Sequence, residues 1–181
     1  MLELSLHILD IVNNSIKAKA DLIYISINES VDDNLLEISI SDNGCGMDSQ
    51  FLSKVTDPFQ TTRTTRKVGM GLSLFKAAAK NAGGDFVIRS QKDVGTTVEA
   101  SFVYNHIDRQ PLGDMGETIL TLISGNDTIH FVYSHSINQK FFLLDTREIK
   151  RILGDDISLG DPEIVVWLKE YIHEGLSKIS L

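Results

Sequence analysis

The sequence predicts an α+β protein, on three observations. Two early segments alternate strictly between apolar and polar residues, the period of half-buried strands. They set Ile23, Ile25 and Ile27 against Tyr24, Ser26 and Asn28, then Leu36, Ile38 and Ile40 against Glu37, Ser39 and Ser41. Other segments carry aliphatic residues at three- and four-residue steps, the period of a helix with one buried face. The pattern pauses at residues 105–116 and restarts beyond them, so 181 residues are expected to hold one domain and a smaller appendage.

The elements follow in order. Residues 1–20 are expected as a helix with Leu2, Leu6, Leu9, Val12 and Ile16 on its apolar stripe. His7, Asp10, Asn14 and Lys17 share another face of it. A strand over 23–27 turns through the polar run 30–34 into a second strand ending at Asp42. Asp42 keeps the parity of the apolar set, so its carboxylate points to the covered face and needs a partner there. Gly44 and Gly46 let the backbone bend tightly and approach a flat ligand, with Cys45 between them and Met47 after them. An aspartate at the floor of such a slot suits the exocyclic amine of adenine; the plain alternative is a strand ending in an Asx-Gly turn.

Residues 48–56 read as a short helix, ended by Asp57-Pro58 because proline disfavours a helical residue before it. The run 59–68 (FQTTRTTRKV) has no period and reads as a loop. Gly69-Met70-Gly71 leads into a helix over 72–82, stopped by Gly83-Gly84, and 86–90 with 96–104 form a hairpin. Residues 105–116 are linker-like, with a proline and glycines. Three short strands are expected near 118–123, 129–134 and 140–144. A helix then starts at Asp145, with Glu148 completing a capping box. The last helix has Asp161 as cap, Pro162 in its first turn, and Ile164, Leu168, Tyr171, Ile172 and Leu176 on its apolar face.

Composition narrows the function. The net charge of −8 argues against a nonspecific nucleic-acid binder, whose affinity rests on excess Lys and Arg. The lone Cys45 excludes an internal disulfide and fits a reducing cytoplasm, the expected location. No apolar run reaches membrane-spanning length, and Glu3, His7 and Asp10 interrupt the apolar opening, so neither membrane span nor signal peptide is expected.

Several separated residues have one chemistry in common. Asp10 and Asn14 stand in i, i+4 register, where a carboxylate can accept a proton from water and an amide oxygen can ligate Mg²⁺. Lys17, one turn on, can meet a phosphate. Gly69, Met70, Gly71 and Leu72 open a helix whose N–H groups and positive dipole end suit phosphates. Thr97 would place a hydroxyl beside Asp42 if its strand neighbours that one. Bland readings cover the rest. His7, one turn before Asp10, reads as a polar residue at the edge of a buried helix rather than a phosphoacceptor or base, and Cys45 as a small residue between glycines rather than a redox site; Asn13 is solvent-facing or a minor candidate at the phosphates. His130 and His135 lack a third metal ligand. The wide apolar face of helix 161–178, Trp167 included, is packing or a dimer or partner surface.

The segments DIVNNSIKA (10–18), DNGCGM (42–47), DPFQTT (57–62), GMGLSL (69–74) and GTTVEASF (95–102) occur in this order over the first 104 residues. Together they resemble the GHKL ATP-binding family of DNA gyrase, Hsp-type chaperones, histidine kinases and MutL proteins. No Walker-type G-x-x-x-x-G-K-[ST] occurs. The resemblance, closest to histidine kinases, implies the two-layer α/β sandwich of the Bergerat fold, with Asn14 on Mg²⁺ and Asp42 on adenine. It also implies a lid over 59–68, whose Thr62, Arg63, Arg66 and Lys67 are candidates for the triphosphate. Lys17 matches the lysine that histidine kinases carry after their magnesium asparagine. Asp10 departs from the pattern: many histidine kinases have asparagine there and gyrase-like hydrolases glutamate. A carboxylate favours activation of water, or of a serine hydroxyl as in anti-sigma serine kinases, with a shorter reach than glutamate. Only nine residues precede Asp10, so a phosphoacceptor domain within the chain is not expected.

The expectation is therefore an ATP/Mg²⁺-binding domain over 1–104, a linker over 105–116 and an α+β appendage over 117–181. The protein would hydrolyse ATP or transfer its γ-phosphate to a partner protein in trans, with Asp10 as base. The alternative is a regulatory module that binds ATP with little turnover and docks a partner, as anti-sigma factors do. A homodimer is the remaining partner expected.

Overall fold

The computed structural model describes residues 3–55, 70–154 and 156–180. The chain runs through α1 (Leu4–Lys17), β1 (Leu22–Ser30), β2 (Leu35–Asp42), α2 (Ser49–Val55), α3 (Met70–Asn81), β3 (Phe86–Gln91) and β4 (Gly95–Val103). It continues through α4 (Met115–Gly125), β5 (His130–Ile137), β6 (Lys140–Asp145), α5 (Thr146–Leu153) and α6 (Pro162–Ile179). The strands form one sheet in the order β3-β4-β2-β1-β5-β6. Every neighbouring pair is antiparallel except β1 with β5, which run parallel.

Strict alternation divides the sheet into two unlike faces. Ile23, Ile25 and Ile27 of β1, Leu36, Ile38 and Ile40 of β2, and Phe131 and Tyr133 of β5 are buried in one core. Leu4, Ile8 and Ile11 of α1, Phe75 of α3, Ile119 of α4 and Leu168 of α6 meet them there. This agrees with the α+β class expected from the strand and helix periods and with the two-layer sandwich that the family resemblance implies. The opposite face carries hydroxyl and amide side chains, among them Ser26, Asn28, Ser39 and Ser136, along a hollow of about 710 Å³.

Two expectations differ from the structure. Residues 118–123 are helical, lying within α4, where a strand was expected. Their β-branched composition suggests a strand, but Ile119, Leu120, Leu122 and Ile123 are buried at helical spacing. Asp114 caps this helix, accepting from the Glu117 N–H at 2.9 Å. On α1 Leu4, Ile8, Ile11, Val12 and Ser15 are buried; of the expected stripe Val12 is in the core and Leu9 and Ile16 pack partly buried against it, whereas Leu6 is 42% exposed. Two aliphatic stripes of the same spacing run along that helix, so period alone does not choose between them.

The later segment is stitched to the earlier one. β5 pairs with β1 over eight register positions from Leu22–His130 to Glu29–Ile137. The carbonyls of Pro111 and Leu112 accept the Leu4 and Ser5 N–H groups at 2.9 and 2.8 Å. They thereby satisfy donors that a helix N-terminus leaves open. Asp145 caps α5 through the Arg147 N–H at 2.9 Å, while Asp161 precedes α6 without a side-chain cap bond.

Candidate functional site

The site is built on the polar face of α1. Burial of Leu4, Ile8, Ile11 and Ser15 turns Asp10, Asn14 and Lys17 outward in one row. None of the three side chains has a hydrogen bond or ion pair with another described residue. The first turn of α3 lies directly against this row. A Cβ on Gly71 would sit 2.9 Å from Asp10 Oδ2, so the glycine lets the helix start and the carboxylate come together without displacing the Asp10 side chain. The positive end of α3 therefore faces the Asp10 carboxylate and whatever anion lies beside it.

Asp42 ends β2 on the covered face, as its parity requires, and its carboxylate is held at both oxygens. The Ser15 hydroxyl donates to Oδ2 at 2.6 Å, and the Gly44 N–H donates to Oδ1 at 2.9 Å. These bonds answer the need of a half-buried carboxylate for partners and leave each oxygen a further lone pair. The loop after Asp42 is fixed on both sides. Cys45 N–H donates to the Ala18 carbonyl at 2.9 Å, and Met47 N–H to Ser90 Oγ at 2.8 Å. Gly46 has φ +61°, and a Cβ there would lie 1.9 Å from the Gln91 carbonyl oxygen. Asn43 acts as a pin, accepting the Asp21 and Leu22 N–H groups at 3.1 and 3.0 Å.

Other expected site residues divide. β4 does neighbour β2, but the register sets Thr96 opposite Asp42 and Thr97 opposite Ser41, whose hydroxyls meet at 2.9 Å. Thr97 therefore belongs to the open face, and the threonine on the Asp42 side is Thr96, bonded to Ser90 Oγ at 2.8 Å. A shift of one residue moves a strand side chain to the other face. The Leu72 side chain is part of the core, so only its backbone can serve the site. Met70 starts α3 and is exposed. Thr62, Arg63, Arg66, Lys67 and Gly69, with the rest of the expected lid, lie outside the described residues.

Sequence reasoning missed Ser15. Its signal was present: a hydroxyl in the series Leu4, Ile8, Ile11, Ser15, next to Asn14. His7 is buried. Its Nε2 meets Gln110 Oε1 at 3.0 Å, and its ring stacks on Phe75 with centroids 5.3 Å apart. Burial holds its pKa below the ordinary value against the Gln110 bond.

Mg²⁺ is commonly held by one or two protein oxygens with substrate phosphates and water. The Asn14 amide, half-buried and unpartnered, fits that donor role. Among the described residues no group of three or more His, Cys, Asp or Glu is placed to hold a metal ion. On α1 the outward-facing oxygen groups are the Asp10 carboxylate and the Asn14 amide. His130 and His135 belong to no such cluster; His135 instead bonds Glu29 at 2.8 Å and Tyr133 at 2.8 Å. Burial works against ionisation of Glu29, but the His135 bond and charge, with Tyr104 and Arg109, hold its pKa below the ordinary value.

A family model described as the histidine kinase-, DNA gyrase B-, and HSP90-like ATPase matches residues 2–106. Histidine protein kinase DivJ of Caulobacter vibrioides is 32% identical over 95 residues, covering 50% of this chain and 16% of that protein. Signal transduction histidine-protein kinase AtoS of Escherichia coli is 38% identical over 65 residues, covering 36% of this chain and 10% of that protein. The chain thus matches only a small part of each relative's length. The Aquifex aeolicus MutL ATPase domain, solved with ADP, superposes with a TM-score of 0.56 at 15% identity, covering 84% of this chain and 69% of that one. At that identity the likeness is one of fold. Among the described residues no helix is long and apolar enough to cross a membrane.

Proposed function

Because the chain belongs to the histidine kinase-, DNA gyrase B-, and HSP90-like ATPase family, we propose that it binds ATP with Mg²⁺ and promotes attack on the γ-phosphate. Asp42 accepts from the exocyclic amine of adenine. Asn14 ligates the metal, and Lys17 with the α3 N-terminus meets the phosphates. Asp10, set against that N-terminus, takes the proton from the attacking oxygen, of water or of a partner protein's side chain. A bond forms from that oxygen to the γ-phosphorus and the bond to the β-phosphate oxygen breaks, leaving ADP with phosphate or a phosphorylated partner. Bound Mg²⁺ supplies neutralisation of charge on the phosphate oxygens.

One observation carries the reading. The Ser15–Asp42 hydrogen bond ties the base slot to the helix whose free row is Asp10, Asn14 and Lys17. Asp10 stands against the start of α3 and shares one face of α1 with Asn14 and Lys17, an arrangement that suits an anion with a bound cation.

The test is calorimetric binding of MgATP and ADP release by the purified chain beside Asp10→Asn and Asn14→Ala. The wild type should bind and turn over. Asp10→Asn should bind and lose about 10²–10⁴-fold in turnover, the usual worth of a general base. Asn14→Ala should lose the magnesium-dependent part of binding. If wild type and Asp10→Asn bind alike and neither releases ADP, the protein is the docking module that binds ATP without turnover. An absence of nucleotide binding sinks both readings.

A further inference from the structure

The loop after Asp42 is tied to the β3–β4 hairpin through the Asp93 N–H, which donates to the Cys45 carbonyl at 2.8 Å, and through the half-buried Ser90. Ser90 stands opposite Thr96 of β4, and Thr96 opposite Asp42 of β2, so the three form one row across three strands. The row lies on the covered face. Ile88 shares the parity of Ser90, Val98 shares that of Thr96, and both belong to the apolar side. Ser90 Oγ meets three groups: the Met47 N–H at 2.8 Å, the Gly95 carbonyl at 3.0 Å and Thr96 Oγ1 at 2.8 Å.

A serine hydroxyl has one proton to give and two lone pairs. One arrangement of protons makes all three bonds at once. The Met47 N–H can only donate and the Gly95 carbonyl can only accept, so the serine proton goes to Gly95 and Thr96 gives its own proton to Ser90. Thr96 is left as an acceptor beside Asp42, with side chains across such a ladder about 4.5–5.5 Å apart. Other donors around the slot are spent in the same way. The Ser15 hydroxyl and the Gly44 N–H go to Asp42, and the Cys45 N–H to Ala18.

We infer that Ser90 is a positioning residue that sharpens the choice of nucleobase by holding Thr96 as an acceptor. This rests on the reading of Asp42 as the group that meets the exocyclic amine. Adenine brings a donor to that edge and finds acceptors. Hypoxanthine, with a carbonyl where adenine has its amine, brings an acceptor and finds none of these donors free. A Thr96 hydroxyl at liberty to turn would supply one, and Ser90 denies it. Selectivity thus comes partly from a bond withheld from the wrong base.

Calorimetric titration of the full chain with MgATP and with the magnesium complex of inosine triphosphate tests this. The wild type should prefer ATP. Ser90→Ala should narrow that preference by about three- to tenfold, the worth of one hydrogen bond regained by the wrong base. It should also speed amide exchange at Met47 in the nucleotide-free chain. Ser90→Thr, which keeps the hydroxyl, should restore both, and Ser90→Cys, a weak donor of similar size, should narrow the preference in the same sense. In a Thr96→Val background Ser90→Ala should leave the preference where Thr96→Val alone sets it, since no hydroxyl remains to turn. A Ser90→Ala chain that loses affinity for both nucleotides equally overturns the inference, because Ser90 would then only anchor the loop. So does a narrowing that persists without the Thr96 hydroxyl. Both outcomes leave Asp42 as the residue that reads the base. A wild type that holds the two nucleotides alike removes that reading, and this inference with it.

Discussion

At the scale of single residues, Ser15 carries more of the site than its neighbours reveal. Its hydroxyl is buried and spent on Asp42 Oδ2 at 2.6 Å, so it orients the carboxylate that the proposed function sets against adenine. A hydrogen bond to a charged group contributes roughly 1.5–3 kcal/mol. Ser15→Ala leaves Asp42 held by the Gly44 N–H alone. The expected outcome is a lower melting temperature and MgATP affinity weakened by about tenfold, the share of that energy transmitted to the ligand being about 1.4 kcal/mol. Calorimetric titration beside a thermal melt separates the two losses. A loss of stability with unchanged affinity would remove Asp42 from the base slot. The parity of Asp42 was legible because alternation in β2 is unbroken up to it. The threonine beside it was not, because Thr96 and Thr97 follow Gly95 equally well and only the register of β4 on β2 chooses between them.

Helices and strands respond as units where a buried group titrates between them. His7 joins α1 to Phe75 of α3 and to Gln110 of the segment that supplies carbonyls to the start of α1. Burial lowers its pKa from the model-peptide value of 6.5, outweighing the Gln110 bond, which raises it. The folded protein therefore keeps His7 neutral at pH values where the unfolded chain binds a proton. Stability is complete above 6.5 and falls as pH drops below it, by up to about 1.4 kcal/mol per pH unit until the folded-state pKa is reached. Thermal melts from pH 7.5 down to about pH 5 should show this slope, and His7→Gln should flatten it. An unchanged slope in the variant would assign the acid sensitivity elsewhere. The role of His7 at this junction was hidden in the sequence, since the residue it meets lies 103 positions away. The same distance problem hid α4. Residues 118–123 look strand-like by composition, and the signals for a helix were the Asp114 cap and the burial of Ile119 and Leu122 against α6 and the sheet.

The whole molecule poses the question of where one unit ends. The family match stops at residue 106, and the linker-like stretch 105–116 invites a boundary there. Three features cross it: the parallel β1–β5 pairing, the capping of α1 by the Pro111 and Leu112 carbonyls, and the buried Glu29–His135 pair at 2.8 Å. A chain ending at His106 would turn β1 from an inner strand into an apolar edge, the situation that promotes aggregation. It would also uncover one side of the core where Phe131 and Tyr133 now lie, and leave Glu29 without its imidazole. The expected outcome is that the full chain unfolds in one calorimetric transition, while the chain ending at His106 is insoluble or loses native-like amide protection in β1. Hydrogen exchange on β1 is the sharper readout, because an inner strand exchanges only with the opening of the unit it belongs to. A monomeric 1–106 chain with β1 protected as in the full protein would make 117–181 a separable appendage. Loss of that protection would make those residues, which supply two of the six strands, part of the same folding unit, and any partner that pulled on them would pull on α1 and its Asp10–Asn14 row.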